Sequence, residues 1–400
     1  MYPTITLKKG KEDNVYFRHP WIFSGALEKL PVDIKHGDLV YVADFSGKII
    51  GTGTYSNKSS IAVRVFEFGK TIIDKAWFKK VFADSSARRK LMGYGETAGV
   101  TGFRIIFGEA DGVPGLVVDK FGGALVIQIS TSGIDRLKPE ILAALQEVFK
   151  PRSIIERSDL PVRREEGLED NIGVLLGEDL SEVEFQEYNL KFIADIKEGQ
   201  KTGFYLDQKD LRQIIQQMAK GRNVLNLFSY TGSLGISAMK GGAVKVHNID
   251  GSARALVGAS RQAELNGIKK ENFTTEIYGI FDYLEKVKGA DWGMVIMDPP
   301  AIIKAERDME EGKKAYHFLN REAMRRCADG GIFVTSSCSH FLTEDDFCWI
   351  LRRASVQIGM HLNILKVVHQ SPDHPVSVYF PNSAYLKTFV CEVRRSEVRS

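Results

Sequence analysis

Two short apolar runs that end in polar turns decide the fold of this chain. The run at residues 331–334 stops at Thr335-Ser336-Ser337-Cys338-Ser339-His340, and the run at residues 294–297 stops at Asp298-Pro299-Pro300. Short apolar runs bounded by turn signals are typical of buried strands in a parallel sheet. Ligands bind outside the carboxyl ends of such strands, so we expect Cys338 and Asp298 to face one crevice. A thiol beside a carboxylate suits covalent attack on a pyrimidine ring whose base is held by the carboxylate.

The surrounding sequence, residues 186–400, alternates between strand and helix patterns. Strands are predicted at residues 223–228, 244–250, 292–297, 331–335, 361–368 and 386–393. Helices are predicted between them at residues 209–219, 233–240, 253–266, 315–328 and 344–354. This alternation predicts an α/β, Rossmann-like, doubly wound sheet with right-handed crossovers.

The first 185 residues have two other patterns. Residues 1–70 are glycine-punctuated and predict a small all-β barrel, with strands at residues 38–44, 48–54 and 60–66. Arg18, His19, Trp21 and Phe23 cluster before these strands, which fits either an RNA-binding edge or the barrel's own aromatic core. Residues 71–185 predict an α+β insert, with helices at 77–94 and 137–149, strands at 103–107 and 153–157, and a hairpin turning at 121–123.

Composition limits the class of protein. A chain of 400 residues is expected to form two or three domains, and 44% hydrophobic with 26% charged residues is typical of a globular protein. No apolar run reaches membrane-spanning length, so we expect no membrane partner and a cytoplasmic location. The net charge of +3 neither demands nor excludes nucleic acid.

The four cysteines lie in the last quarter of the chain without a CxxC pair, which indicates reduced thiols. We assign Cys327 and Cys348 to helix packing, whereas the polar neighbours of Cys338 favour an accessible nucleophile over an inert core thiol. His369 and His374 lack a third ligand, so no metal site is expected.

A second turn predicts a cofactor site. The strand at residues 224–228 runs into Ser229-Tyr230-Thr231-Gly232 and then a helix, and Asp250 ends the following strand. Such a carboxylate either accepts from ribose hydroxyls or caps a helix. No GxGxxG motif is present and no lysine follows the glycines, so S-adenosylmethionine fits better than NAD. Upstream, Gly203 either lets the backbone approach a ligand or lies in an ordinary loop.

Seven sequence blocks, in order, resemble one family. They are His19-Pro-Trp-Ile-Phe-Ser-Gly-Ala, Gly108-Glu-Ala-Asp-Gly-Val-Pro-Gly-Leu, Lys201-Thr-Gly-Phe-Tyr-Leu-Asp-Gln, Asn226-Leu-Phe-Ser-Tyr-Thr-Gly, Asp298-Pro-Pro, Ser336-Ser-Cys-Ser and Asp373-His-Pro. The chain resembles the 23S rRNA methyltransferase I family, class I enzymes that form 5-methylcytosine in large-subunit ribosomal RNA. The resemblance implies a PUA barrel that touches RNA at residues 1–70, an α+β insert domain at 71–185 and a class I methyltransferase domain at 186–400.

The resemblance also implies roles for individual residues. In the cofactor site it implies Lys201, Thr202, Gly203 and Asp207 near the methionine end, Phe228, Ser229, Tyr230, Thr231 and Gly232 along the cofactor, and Asp250 with Ser252 at the ribose. Gly279 stands where such proteins usually carry an acidic residue for the adenine, which leaves the Ile280 backbone or Asp282. Asp298, Pro299 and Pro300 would face the base, Cys338 would be the nucleophile, and Arg18, Trp21 and Lys58 would touch RNA.

Three alternatives to cytosine methylation stay open from the residues. They are 5-methyluridine formation, methylation of an exocyclic amine and a non-catalytic RNA-binding assembly factor. Amine methylation is disfavoured because Ala301, which follows the two prolines, cannot stack on a base. The predicted partner is ribosomal RNA, with a homodimer as an open alternative.

Overall fold

The computed structural model describes residues 1–28, 33–287, 289 and 291–395. The chain divides into two compact units. Unit 1 comprises Met1–Asn189, Ile193–Leu206 and Pro372–Ser383, and unit 2 comprises Leu190–Phe192, Asp207–Ser371 and the described part of Ala384–Ser400. The domain boundaries expected at residues 70 and 185 stay a prediction.

Unit 1 begins with a small all-β barrel. Its strands are β1 (Thr4–Thr6), β2 (Trp21–Phe23), β3 (Leu39–Ala43), β4 (Ile49–Tyr55) and β5 (Ile61–Glu67), with a short helix α1 (Asp13–Tyr16). The sheet order is β1-β3-β4-β5-β2. The chain beyond each outer strand joins the two edges, because Leu7 bridges Leu27 and the Lys8 amide donates to the Ala26 carbonyl over 2.9 Å. The predicted barrel is confirmed, although β1 and β2 were not anticipated as strands.

The insert that follows is an α+β structure. Its elements are α2 (Lys75–Leu91), β6 (Gly102–Phe107), β7 (Leu116–Phe121), β8 (Ala124–Ile129), α3 (Ser132–Arg136), α4 (Lys138–Phe149), β9 (Ser153–Ser158), α5 (Pro161–Glu165) and β10 (Asn171–Gly177). The sheet order is β10-β9-β8-β7-β6, and β7 and β8 form the predicted hairpin, with Gly122 at φ 52° in its turn. A two-stranded sheet of β11 (Glu182–Glu187) and β12 (Leu190–Asp195) follows; β10, β11 and β12 were missed from sequence.

Unit 2 is built on a seven-stranded sheet with the order β15-β14-β13-β16-β17-β19-β18. Its strands are β13 (Asn223–Leu227), β14 (Lys245–Asp250), β15 (Phe273–Ile277), β16 (Trp292–Met297), β17 (Cys327–Ser337), β18 (Met360–His369) and β19 (Lys387–Arg395). Its helices are α6 (Lys209–Met218), α7 (Ser233–Lys240), α8 (Ala253–Leu265), α9 (Ile280–Lys286), α10 (Met309–Met324) and α11 (Glu344–Gln357). Strand β19 runs antiparallel to both of its neighbours.

The order of the strands reverses at β13, whose neighbours are β14 on one side and β16 on the other. In open α/β sheets this reversal opens the crevice in which ligands bind, at the carboxyl ends of the strands. The apolar residues Met294, Val295, Ile296 and Met297 are each 0% exposed, as expected of a central parallel strand in an α/β sheet. The predicted Rossmann-like fold is therefore confirmed.

Strand β15 and helix α9 were not predicted from the sequence, and the position of one helix was wrong. The helix expected at residues 315–328 is α10, which begins earlier and ends at Met324, so Cys327 opens strand β17 instead of lying on a helix face. Cys327 pairs with Trp292 before a register irregularity, which extends the strand beyond the apolar run that was visible in the sequence. Its thiol is nevertheless a packing group, since Cys327 is 0% exposed. No helix in the described part of the chain is long and apolar enough to cross a membrane.

Candidate active site

Cys338 and Asp298 lie at one edge of the unit 2 sheet. Strands β16 and β17 are parallel neighbours in which Met297 pairs with Thr335. Asp298 directly follows β16 and Cys338 directly follows β17, and both residues are partly exposed. The carboxyl ends of two adjacent strands thus carry a thiol and a carboxylate at one edge of the sheet, the edge at which ligands bind in such folds.

A network of hydroxyl groups ties the two loops together. The Ser337 hydroxyl donates to the Tyr316 Oη over 2.9 Å, and the Tyr316 Oη lies 3.1 Å from the Ser339 Oγ. The Ile303 amide, in the loop that follows Pro299-Pro300, donates to the same Ser339 Oγ over 3.1 Å. Burial raises the pKa of Tyr316, so its phenol stays neutral. The serines on either side of Cys338 therefore fix the thiol's loop to the loop of Asp298.

Two further contacts position the carboxylates at this edge. The Gln208 side-chain amide donates to Asp298 Oδ2 over 2.6 Å. The neighbouring carboxylate of Asp207 is 4% exposed and accepts from the Tyr385 hydroxyl over 2.5 Å. Sequence reasoning selected Asp207 and Asp298 but missed Gln208, Tyr316 and Tyr385. Gln208 follows Asp207 in a recognised block, which was the one available signal.

The turn after β13 is strained in a way that suits close approach by a ligand. Phe228 and Tyr230 have φ angles of 56° and 48°, values that non-glycine residues rarely adopt. Gly232 has φ 73°, and a Cβ there would lie 2.9 Å from the Ala259 Cβ. The first residues of α7 follow at once, and their amide groups have no partner within the helix. Strained backbone of this kind concentrates at functional sites.

Asp250 joins this turn to the next one. Its carboxylate accepts from the Tyr230 amide through Oδ2 and from the Ser252 amide through Oδ1, each over 2.8 Å. The N-cap of α8 is Ser252, whose hydroxyl accepts from the Ala255 amide over 3.2 Å, so Asp250 is not the helix cap. A carboxylate has about four acceptor sites, which leaves capacity for hydroxyl donors.

The two candidates for the adenine contact differ in their surroundings. The Tyr278 amide donates to the Asp250 carbonyl over 3.0 Å, and Ile280 opens helix α9 shortly after. The Asp282 side chain is exposed and forms an ion pair with Lys286 at 2.8 Å. Ile280 thus offers an amide in the first turn of a helix, whereas the Asp282 carboxylate is paired with a lysine at the surface. Which of the two contacts the adenine stays a prediction.

The turn's polar atoms fit a ligand that carries hydroxyl or amine groups. Ser229 is 8% exposed, and its buried hydroxyl has no hydrogen-bond partner within the described residues. Buried polar groups normally find partners, so this hydroxyl is available to hydrogen-bond with a ligand. Together with Asp250, it suits the ribose and amino acid portions of S-adenosylmethionine.

Three of the residues predicted to bind the cofactor, Lys201, Thr202 and Gly203, belong to unit 1. Thr202 is 0% exposed and donates to Asp119 Oδ2 over 2.7 Å, which is a structural contact. Lys201 has φ 54°, and its ammonium lies 4.4 Å from the centre of the Tyr205 ring. Gly203 has φ 120°, and a Cβ there would lie 2.8 Å from the Asp195 carbonyl oxygen. A role for these three residues in cofactor binding stays a prediction.

The predicted RNA-contacting residues are spread over the barrel. Arg18 is exposed, with its guanidinium 5.6 Å from the Tyr379 ring centre, and Lys58 is exposed in the turn between β4 and β5. Trp21 is half-buried, and its indole N–H donates to the Glu109 carboxylate over 2.8 Å. The centre of its ring lies 4.7 Å from that of the Phe380 ring. A cleft of about 470 Å³ lies beside β2, lined by Gly10, Lys11, Asp13, Asn14, Trp21, Ile22, Phe23, Gly25 and Ala26.

Comparisons with known proteins agree with this architecture. A family model for a PUA-like domain matches residues 5–68, and one for an S-adenosylmethionine-dependent methyltransferase matches residues 162–345. The ribosomal RNA large subunit methyltransferase I of Pseudoalteromonas atlantica is 36% identical over 397 residues, covering 98% of this chain and 100% of the relative. The protein of the same name from Vibrio vulnificus is 37% identical over 398 residues, with the same coverage.

Solved structures share the fold over nearly the whole length. A Streptococcus mutans protein described as a SAM-dependent methyltransferase has a TM-score of 0.81 at 21% identity, covering 98% of this chain and 100% of that one. A methyltransferase crystallised with SAH has a TM-score of 0.83 at 21% identity, with the same coverage.

The fold and the matches define an S-adenosylmethionine-dependent methyltransferase with a PUA-like N-terminal domain. Its cofactor is S-adenosylmethionine, as the turn after β13 predicted. More particularly, the chain belongs to the ribosomal RNA large subunit methyltransferase I family, since proteins of that name align over 98% of it at 36–37% identity. The family expected from the seven sequence blocks is confirmed.

Proposed function

We propose that this chain methylates carbon 5 of a cytosine in large-subunit ribosomal RNA, with Cys338 as a transient covalent nucleophile. One observation carries the proposal: Cys338 and Asp298 follow adjacent strands, and Ser339 and Ile303 tie their loops together. The names of the relatives support ribosomal RNA as the substrate, and the partly exposed thiol supports attack on a pyrimidine ring.

The chemistry balances as a covalent addition followed by elimination. The Cys338 thiolate donates an electron pair to carbon 6, and the electrons of the C5–C6 double bond move to carbon 5. Asp298 accepts from the exocyclic amine of cytosine or, when protonated, donates to N3 as charge develops there. When bound, S-adenosylmethionine would supply an electrophilic methyl group to carbon 5, with S-adenosylhomocysteine as the leaving group. Loss of the proton from carbon 5 restores the double bond, and the C6–S bond breaks with its electron pair returning to Cys338.

A fluorinated substrate tests the covalent step. Large-subunit RNA containing 5-fluorocytidine should trap the full chain in the presence of S-adenosylmethionine, because carbon 5 then carries fluorine in place of the proton whose loss releases the enzyme. The adduct should survive denaturing gel electrophoresis, disappear in Cys338→Ser and persist in Cys348→Ser. A Cys338→Ser protein that methylates RNA at the wild-type rate would overturn the mechanism. Mass spectrometry of the product nucleosides separates 5-methylcytidine from 5-methyluridine and N-methylated bases, and a protein that yields none of them is a binding factor.

We also propose that the PUA-like domain contacts the RNA backbone through Arg18 and Lys58, with Trp21 beside the cleft next to β2. Each lost phosphate contact should reduce the slope of log affinity against log salt by about 0.7 to 0.9. We therefore expect Arg18→Gln and Lys58→Gln each to weaken RNA binding and flatten the salt dependence, as measured by filter binding at several salt concentrations.

Lys245→Gln is the matched control, because this exposed lysine starts β14 at the sheet edge opposite the active site. If Arg18→Gln and Lys58→Gln show the same salt slope as Lys245→Gln and the wild type, Arg18 and Lys58 do not contact the RNA. A homodimer stays a prediction, which sedimentation of the full chain at several concentrations would test.

A further inference from the structure

Lys387 is a buried lysine next to the Cys338 loop. It opens strand β19 opposite Ser337, the last residue of β17. It is 8% exposed, and its ammonium donates to the Ser339 carbonyl over 2.9 Å and to the Tyr385 carbonyl over 3.3 Å. Both acceptors are neutral, and no carboxylate in the described ranges forms an ion pair with Lys387. The Lys387 ammonium therefore contacts Ser339, the residue that directly follows Cys338.

A buried ammonium without a carboxylate needs some other negative group to stabilise it. Burial lowers the pKa of Lys387, and the groups that act in the opposite direction are Cys338 and Glu344. Glu344, at the start of α11, already pairs with His369 at 2.5 Å. The Cys338 thiol is therefore the group whose ionisation the lysine is placed to favour.

The remaining ionisable groups around Cys338 include one that opposes a thiolate, the carboxylate of Asp298 at the end of β16. Tyr316 of α10 interacts electrostatically with both Cys338 and Asp298, but its phenol is neutral. A carboxylate beside a thiol raises the thiol's pKa. His340 is an exposed neighbour in sequence, open to solvent screening. Because Lys387 is buried, its charge acts through a lower dielectric than that of a surface group.

We propose that the ammonium group of Lys387 is the positive charge that keeps Cys338 as a thiolate. This role rests on the proposed function, in which the thiolate attacks the base. Lys387 is a positioning residue, because it acts through Cys338 and holds the Ser339 carbonyl. The proton lost by the thiol passes to solvent, and the resulting anion lies beside the cation.

The other thiols of unit 2 provide an internal comparison. Cys391, on the same strand as Lys387, is fully buried, and burial raises its pKa to about 12. Burial and the carboxylates of Asp345 and Glu344 raise the pKa of Cys348. Neither thiol has a cation among the causes that shift its pKa. A thiolate beside Lys387 would thus make Cys338 more reactive than the packing cysteines, Cys348 and Cys391.

The test measures how the rate of Cys338 alkylation by iodoacetamide depends on pH. It uses the full chain with Cys348→Ser as the parent, and peptide mass spectrometry locates the label. The parent should show an apparent thiol pKa below the ordinary value of about 8.5. Lys387→Gln keeps a donor but removes the charge, so it should raise that apparent pKa by about one unit. Labelling at neutral pH should slow by about threefold to tenfold, because the smaller thiolate fraction is partly offset by greater nucleophilicity. Lys387→Arg should restore most of the effect.

Lys366→Gln is the matched control, since it removes one exposed positive charge from neighbouring strand β18 and should leave the profile unchanged. Well above the thiol pKa, the limiting rates of all variants should agree within about threefold, the difference expected from thiolate nucleophilicity, whereas a merely structural effect would slow labelling at every pH. A parent pKa at or above about 8.5 overturns the proposal even if Lys387→Gln fails to fold. Alkylation requires neither RNA nor cofactor, so its outcome is separate from that of the 5-fluorocytidine experiment.

Discussion

The carboxylate of Asp250 can both hold two turns of the site in place and accept hydrogen bonds from a ligand. It holds the amides of Tyr230 and Ser252 at 2.8 Å each, and so sets the geometry of two turns before any ligand arrives. The same oxygens can accept from ribose hydroxyls through charge-assisted hydrogen bonds.

We expect Asp250→Ala to weaken S-adenosylmethionine binding by about tenfold to a hundredfold, since a hydrogen bond to a charged group contributes about 1.5–3 kcal/mol. Calorimetric titration measures this directly. Glu276→Gln is the control, because that carboxylate lies on adjacent strand β15 and pairs with His247 at 3.0 Å. Unchanged affinity in Asp250→Ala would remove this residue from the cofactor site.

Cys338 and Asp298 could be predicted from sequence because each ends a local apolar run, a signal contained within a few residues. Tyr316, Gln208 and Lys387 could not, because they reach the same edge from α10, from the turn before α6 and from β19. Their contacts depend on sheet order and register, which local patterns do not contain. Cys327 was misplaced for a related reason: the polar start of β17 has no apolar signature.

The turn after β13 is an element whose shape depends on Gly232. Its φ of 73° is unfavourable for any residue with a Cβ, and an added Cβ would also meet the Phe273 ring at 3.1 Å. We expect Gly232→Ala to lower the free energy of unfolding by at least about 2 kcal/mol, combining backbone strain with overpacking. It should also weaken cofactor binding, because Tyr230 and Gly232 belong to one turn.

Gly251→Ala is the matched control for stability, since it lies in the next turn, its φ is not positive and a Cβ there has no neighbour within 4 Å. Urea denaturation of the three proteins, followed by circular dichroism, gives the comparison. Equal stability of the two variants would mean that the turn tolerates a side chain.

The elements that sequence predicted best were the buried parallel strands β13, β16 and β17, because continuous apolar runs identify them. Several of the missed strands have weaker patterns. Strand β10 has no fully buried residue, and β1 and β2 are three residues long. Pairing with neighbouring strands, not local propensity, makes these segments extended.

The sheet order explains why the cofactor turn and the thiol share one edge. Strand β13 carries the turn, β16 beside it carries Asp298, and β17 beyond carries Cys338. Three chain segments thus meet at the carboxyl ends of consecutive strands, although the first and the last are more than a hundred residues apart in the sequence. The antiparallel insertion of β19 between β17 and β18 could not be foreseen from strand patterns. It places Lys387 opposite Ser337, next to the loop of Cys338.

The core of unit 2 also predicts how stability depends on alkaline pH. Cys327 and Cys391 are both 0% exposed in this core, and burial raises the pKa of each thiol, that of Cys391 to about 12. The unfolded chain releases a thiol proton near pH 8.5, whereas the folded chain retains it. Stability is therefore lost as pH rises from about 8.5 toward 12, by up to about 1.4 kcal/mol per pH unit for each thiol.

Cys391→Val should remove one of these two contributions. Under reducing conditions, the difference in unfolding free energy between wild type and variant should be constant from pH 6 to 8. Above pH 9, it should change in favour of the variant by about 1.4 kcal/mol per pH unit. The lowered pKa of Lys387 acts in the opposite direction, because the folded chain loses that proton first, but this contribution is common to both proteins and cancels. Urea titrations at half-unit intervals measure the difference, and a difference independent of pH up to 10.5 would show that the Cys391 thiol ionises as readily in the core as in the unfolded chain.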